Sequence, residues 1–166
     1  MEGGLEDWMA ATAQDIMSTD LMTVTPSTSL TQFARLCVED NISGCPVIGI
    51  DGRIEGIVSK TDLLERLLEG RHNYSANPDS RRLMGLGEEG LFAADGAADS
   101  EEELYGRVED IMEPNPVTVP PDAPVFNVAR LMAEHRIHRI IVEEGGKPVG
   151  IITSLDFIAH LAAGLD

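Results

Sequence analysis

An internal duplication constrains this chain more than any other feature. Asp15-Ile16-Met17 returns as Asp110-Ile111-Met112, a step of 95 residues from 15 to 110. Val24-Thr25-Pro26 is matched at the same step by Val119-Pro120-Pro121, and Ala34-Arg35-Leu36 by Ala129-Arg130-Leu131. Gly56-Ile57-Val58-Ser59-Lys60-Thr61-Asp62 then returns as Gly150-Ile151-Ile152-Thr153-Ser154-Leu155-Asp156, where the step from 56 to 150 is 94. The second copy has therefore lost one residue, most simply in the hairpin before this element. Landmarks that recur in order at one spacing mean a single structural unit used twice.

Each copy reads alike. A short extended segment, Met22–Thr25 or Val117–Val119, is ended by proline. A helix is predicted over Leu30–Asp40 and again over Val125–His135. Its apolar positions, Leu30, Phe33, Ala34, Cys37 and Val38, then Val125, Val128, Ala129 and Met132, fall at helical spacing. Ser29 and Asp122 stand where side chains cap helix starts. Two apolar runs follow around Asp51-Gly52, namely Cys45–Ile50 and Arg53–Val58. Their counterparts around Gly145-Gly146 are Ile140–Val142 and Pro148–Ile152. Asp-Gly and Gly-Gly are hairpin turns, so these runs are antiparallel strands. A second helix begins at Ser59 or Thr153, carrying Leu63, Leu64 and Leu67 in one copy and Phe157, Ile158 and Leu161 in the other. The predicted class is α/β, two βαββα units.

Charge excludes some functions. A formal net charge of −17 argues against nucleic acid, whose phosphate backbone would be repelled. A single nucleotide needs only a local cation, and His135-Arg136-Ile137-His138-Arg139-Ile140 supplies such a spot in an acidic chain. The other account of that turn is a solvated basic loop pairing with Glu134, Glu143 or Glu144. The matching turn of copy one, Asn41-Ile42-Ser43-Gly44, has no cation, so one good and one degenerate phosphate end are expected. Lys60, Arg53 and Lys147 lie near the motifs in sequence. Cys37 and Cys45 lack metal-ligand spacing and read as buried free thiols of a cytoplasmic protein. No signal peptide, membrane-spanning run or nucleophile–base arrangement is legible, so neither an enzyme nor a membrane protein is expected.

The Asp-Ile-Met opening, the hairpin and the closing Gly-h-h-Ser/Thr-x-x-Asp element (h apolar) resemble the cystathionine-β-synthase domain, or CBS domain, over about residues 13–68 and 107–163. Two such domains normally pack as a pseudo-two-fold pair, the Bateman module. The resemblance implies a cleft that binds AMP, ADP, ATP, S-adenosylmethionine or a related adenosyl ligand as a regulatory ligand, with no required cofactor and no catalysis. It also implies a homodimer and control of a separate, unidentified partner protein. A dimerising scaffold with a vestigial cleft is the competing expectation. Carried over position by position, the ribose hydroxyls fall to Asp62 with Ser59 and Thr61, and to Asp156 with Thr153. The His138-Arg139 pair is similar to the His-Arg that contacts phosphates in the γ subunit of AMP-activated protein kinase. The family also implies that Asp156 works with Ser18–Thr25 and Asp62 with Asn115–Val119, which points to Met22 and Val117 beside the adenine.

Physically, a hydroxyl at the first turn of a helix lies where orphan N–H groups favour an anion, and a carboxylate one turn on suits a ribose diol. The glycine before it would let a ligand approach closely. The same Ser/Thr-x-x-Asp pattern is also a plain helix cap, worth about 1 kcal/mol without any ligand. Both roles can coexist. Leu155 replaces Thr61 in copy two, leaving fewer hydroxyls there. Residues 69–106 form an acidic insert with Asn77-Pro78, predicted as loop, in which Arg71 to Arg82 reads as a variable loop or a lid. Ser100-Glu101-Glu102-Glu103 is a capping box that should open a helix through Leu104 and Val108. Leu5, Trp8 and Met9 suggest a short amphipathic helix within residues 1–12.

Overall fold

The structure is a computed structural model and describes residues 10–75 and 106–163. The helix expected at Leu5, Trp8 and Met9 and the capping box at Ser100 lie outside the described residues. In chain order the elements are α1 (Ala13–Ile16), α2 (Leu30–Glu39), β1 (Gly44–Ile48), β2 (Ile54–Ser59) and α3 (Lys60–Ser75). After them come a 3-10 turn (Val108–Asp110), β3 (Glu113–Pro114), β4 (Thr118–Val119), α4 (Val125–His135), β5 (Arg139–Glu144), β6 (Lys147–Thr153) and α5 (Ser154–Ala163). The two repeated α/β units are present. The helix of copy one runs on to Ser75, so Arg71 is helical rather than in a loop. Val108 does not continue a helix: Arg107 is extended, with φ −124° and ψ 164°, and a separate 3-10 turn starts after it.

Each unit is built around one antiparallel hairpin. β1 pairs with β2 through Cys45↔Val58 and Val47↔Gly56, and β5 pairs with β6 through Ile140↔Ile152 and Val142↔Gly150. Both ladders shift register at equivalent points, between Val47 and Ile48 and between Val142 and Glu143. Beyond the bulge Ile48 faces Ile54, whereas Glu143 faces Pro148, so the missing residue of copy two is lost from the turn. Gly145 and Gly146, at φ 61° and 85°, make that shorter turn possible. The extended segments before α2 and α4 run parallel to the first hairpin strand. In copy two this is β4 against β5; in copy one it shrinks to a single bridge, Val24↔Val47.

Sequence periodicity did not reveal that the opening segments trade places. β3 belongs to copy two but pairs with β2 of copy one, through Gly56↔Pro114 and Ile57↔Glu113. Reciprocally, Ser18 of copy one bridges Ile151 of β6, with paired N–H···O bonds of 2.9 and 3.0 Å. The exchange also caps the main helices. The first N–H of α2, on Leu30, donates to the Gly106 carbonyl at 3.1 Å, and that of α4, on Val125, donates to the Ala11 carbonyl at 3.0 Å. Ser29 caps α2 as expected, its hydroxyl accepting from Gln32 N at 3.1 Å. Asp122 does not cap α4; Pro124 holds the N-cap position with no side-chain bond, and the crossing backbone at Ala11 takes over the function.

Two cores result, each containing side chains from both copies. Val24, Leu30, Phe33, Cys37, Cys45, Val47, Val58 and Leu63 enclose Val108, with Ile111 and Met112 against them. Val119, Val128, Met132, Ile140, Val142 and Ile152 enclose Ala13, with Ile16 and Met17 alongside. The helical stripes are narrower than the spacing implied, since Val38, Leu64, Leu67, Ile158 and Leu161 are all exposed. The two helices leave their C-termini through left-handed residues at matching positions, Asn41 at φ 50° and Arg136 at φ 55°. Asparagine adopts that conformation at little cost, whereas for arginine it costs about 1 kcal/mol. Arg136→Gly should therefore raise the unfolding free energy by about 1 kcal/mol in a urea titration. Val108→Ala should cost about 2 kcal/mol. Hydrogen exchange should place the resulting loss of protection in β1 and β2, the copy to which Val108 does not belong in sequence.

Candidate functional site

Both Ser/Thr-x-x-Asp elements sit where a hairpin strand passes directly into a helix. β2 ends on Ser59 and α3 starts at Lys60; β6 ends on Thr153 and α5 starts at Ser154, one residue later than the sequence suggested. Asp62 Oδ2 accepts the Ser59 N–H and the Ser59 hydroxyl, both at 2.7 Å, while Ser59 Oγ accepts the Asp62 N–H at 3.4 Å. Asp156 Oδ2 likewise accepts the Thr153 N–H and hydroxyl, both at 2.6 Å. All four residues are half-buried, and Thr61 is exposed. The capping geometry uses one carboxylate oxygen of each aspartate.

The same geometry appears twice more, a pattern the sequence reading missed. Asp15 Oδ2 accepts the Thr12 N–H at 2.7 Å and its hydroxyl at 2.6 Å, and the bond from Thr12 holds the Asp15 carboxyl below its ordinary value. Asp110 Oδ2 accepts the Arg107 N–H at 2.7 Å. The aspartate of each Asp-Ile-Met is therefore a cap, and Thr12-x-x-Asp15 was the available signal. The glycines of the closing elements also have another use than expected. A Cβ on Gly56 would lie 2.8 Å from the Glu113 carbonyl and 3.0 Å from Met112 Sδ. One on Gly150 would lie 2.7 Å from Met17 Cγ. These glycines admit the methionines of the exchanged segments.

The basic turn is anchored to the second element. The Ser154 N–H donates to the His138 carbonyl at 3.1 Å, as the Lys60 N–H does to the Ser43 carbonyl at 3.0 Å in copy one. His138 is exposed and Arg139 is half-buried. Arg139 reaches across the boundary between copies: a Cβ built on Gly44 would fall onto its guanidinium, 3.0 Å from Cζ. Its Nη1 is buried without a hydrogen-bond partner. Burial disfavours the Arg139 charge, and Asp62 opposes that effect. The same surroundings push the Cys45 thiol up to about 12, chiefly by burial and then by Cys37. Both cysteines are free and buried. The carboxylates proposed to neutralise the basic turn are partly engaged elsewhere. Glu134 lies 3.9 Å from Arg130 Nε, and Glu143 accepts from Thr118 Oγ1 at 2.9 Å and from Gly146 N at 2.8 Å.

Other predicted residues are placed as follows. Met22 is exposed, and Val117 is half-buried against the second core. The segment holding Met22 leaves its bridge at Ser18–Ile151, two residues from the end of β6; the segment holding Val117 leaves β3 beside Gly56. Arg53 and Lys147 lie at the hairpin turns, Arg53 Nε 3.6 Å from Asp51 Oδ2 and Lys147 against Gly52. A surface hollow lined by Gln14, Pro120, Pro121, Asp122, Glu143, Glu144 and Gly145 contains no predicted site residue, and its three carboxylates would repel a phosphate. Among the described residues no group of three or more His, Cys, Asp and Glu side chains could hold a metal ion. No helix among them is long and apolar enough to cross a membrane.

Comparison with known proteins bears on the two repeated units. The CBS domain family model matches residues 13–69 and 108–163. An uncharacterized protein of Methanocaldococcus jannaschii is 29% identical over 153 residues, covering 89% of this chain and 89% of its own. Inosine-5′-monophosphate dehydrogenase of Bifidobacterium longum is 27% identical over 144 residues, 86% of this chain but only 21% of the enzyme. Among solved structures, CBSX2 in complex with AMP superposes with a TM-score of 0.68 at 27% identity, over 93% of this chain and 98% of the other. Since Asp156 is a cap before it is anything else, Asp156→Ala should lower the unfolding free energy by about 1 kcal/mol in nucleotide-free buffer, read by urea denaturation.

Proposed function

The chain belongs to the CBS domain family, and from that premise we propose that its two copies form a regulatory module binding an adenine nucleotide in the cleft between them. The observation that carries this reading is Arg139: a guanidinium half-withdrawn from water, with an unpartnered N–H at Nη1, beside the helix start that bears Ser59 and Asp62. A desolvated cation with an unpaired N–H next to a capped helix start suits a phosphate, which brings both negative charge and acceptors. The remaining carboxylate oxygens of Asp62 and Asp156 are the groups offered to ribose hydroxyls, with Ser59, Thr61 and Thr153 around them. His138 is a further phosphate contact, and the backbone near Met22 and Val117 would hold the adenine by apolar packing. The AMP complex of CBSX2 supports an adenosyl ligand. The module has no catalysis of its own in this reading and acts on a separate protein.

A homodimer belongs to the same proposal. α3 exposes Leu64, Leu67 and Leu68, and α5 exposes Leu155, Ile158 and Leu161. Apolar rows of this kind on helices favour burial against a second copy. The competing reading, a ligand-independent scaffold, draws support from the capping use of both aspartates and from the methionines that fill the space beside Gly56 and Gly150.

Thermal unfolding with AMP, ADP, ATP and S-adenosylmethionine separates the two. A nucleotide at a hundred times its dissociation constant should stabilise the protein by about 2.7 kcal/mol. That gain should disappear in the double variant Asp62→Ala, Asp156→Ala. An unchanged melting temperature with every ligand at millimolar concentration would leave the scaffold reading standing.

A further inference from the structure

We propose that the two halves of the cleft take chemically different ligands: the Asp62 half accepts the phosphorylated one and the Asp156 half does not, with Arg139 as the determinant. The inference rests on the nucleotide-binding reading above and assigns its charge selectivity. Positions 44 and 139 are equivalent in the duplication, each opening the first hairpin strand, and each faces the last residue of the second strand (Gly44↔Ser59, Arg139↔Thr153). The Arg139 guanidinium does not end in its own unit. It lies over Gly44, where a Cβ would stand 3.0 Å from Cζ and 2.6 Å from the Val58 carbonyl, which is next to Ser59. Copy two thus delivers its cation to the Asp62 half, and Gly44 has no side chain to return.

A second pair of equivalent positions acts in the same direction. The residue after the strand is Lys60 in copy one and Ser154 in copy two, so the Asp62 half carries a lysine where the Asp156 half carries a hydroxyl. Each half keeps one capped aspartate, but the Asp62 half has the Arg139 guanidinium beside it and a lysine, Lys60, at its helix start. A phosphate brought to the Asp156 half would meet no cation from either position, while the capped carboxylate is common to both halves. Uncharged nucleoside-type ligands, which need only the ribose and adenine contacts, are not excluded from that half by charge.

Isothermal titration at about pH 8 with AMP and with adenosine tests this, because arginine and lysine then supply the positive charge. The expected result is one AMP per chain. Arg139→Gln should weaken AMP by about tenfold or more while changing adenosine far less, and Arg139→Lys should recover part of the loss. Asp62→Asn should weaken AMP at least about tenfold more than Asp156→Asn does. Two equivalent AMP sites, an equal loss of AMP and adenosine in Arg139→Gln, or greater sensitivity to Asp156→Asn than to Asp62→Asn would each overturn the assignment while leaving nucleotide binding intact. If neither AMP nor adenosine titrates, the nucleotide reading fails and the assignment with it. Melting of each variant without ligand confirms that it is folded.

Discussion

Two backbone hydrogen bonds set the terms for the rest of this molecule, Leu30 N–H to the Gly106 carbonyl and Val125 N–H to the Ala11 carbonyl. Each joins the start of one copy's main helix to the opening segment of the other. Gly106 can serve there because its φ of 121° is open to glycine, and because a Cβ would crowd Leu30 Cδ1 at 3.1 Å. Once these bonds form, the following residues have one place to go. Ala13 enters the second core, Val108 enters the first, and the chain continues along the edge of the facing sheet. Neither hairpin, taken with its own helices alone, closes its core. A small unit of this size buries a limited fraction of its surface, so borrowing an apolar turn from its twin supplies what it lacks.

Much of this was legible from residues alone. The spacing of Leu30, Phe33 and Cys37 and of Val125, Val128 and Met132 located both main helices, and Asp-Gly and Gly-Gly located both hairpins. Those signals are local, governed by one element's period or one turn's dihedral angles. The exchange is not local. Ala13 and Val108 look like ordinary apolar residues, and nothing in their neighbourhood says which of two similar cores will enclose them. For the same reason Asp122 was misread: a side chain three positions before Val125 seemed the nearest cap, whereas a carbonyl more than a hundred residues away fills the role. Gly56 and Gly150 were rightly singled out, but the atoms crowding them are methionine side chains from across the boundary.

The candidate site shows the same division. The Ser59–Asp62 and Thr153–Asp156 geometries follow from short-range spacing and were readable. That the carboxylate of each Asp-Ile-Met also accepts the N–H three residues before it narrows their meaning: a capped aspartate is a recurring joint of this fold, used at four helix or 3-10 starts among the described residues. What distinguishes two of the four is their setting, at the end of a hairpin strand, with the Arg139 guanidinium beside one of them. The direction taken by that guanidinium is a tertiary fact. The sequence located the cation in copy two, and only the packing assigns it to copy one.

The reciprocal crossing also governs how two copies of a duplicated gene can drift apart. A change at Met17 is felt at Gly150, and a change at Met112 at Gly56, so those contacts tie the halves together and resist independent change. Position 44 and its twin 139 face each other under a weaker rule. A large side chain fits at position 139, whereas at position 44 even a Cβ would meet the Arg139 guanidinium and the Val58 carbonyl, so position 44 stays small. A symmetric ancestor could satisfy that rule only by keeping both residues small. Admitting a single arginine breaks the symmetry without disturbing either core, and gives a duplicated fold a chemically distinct left and right.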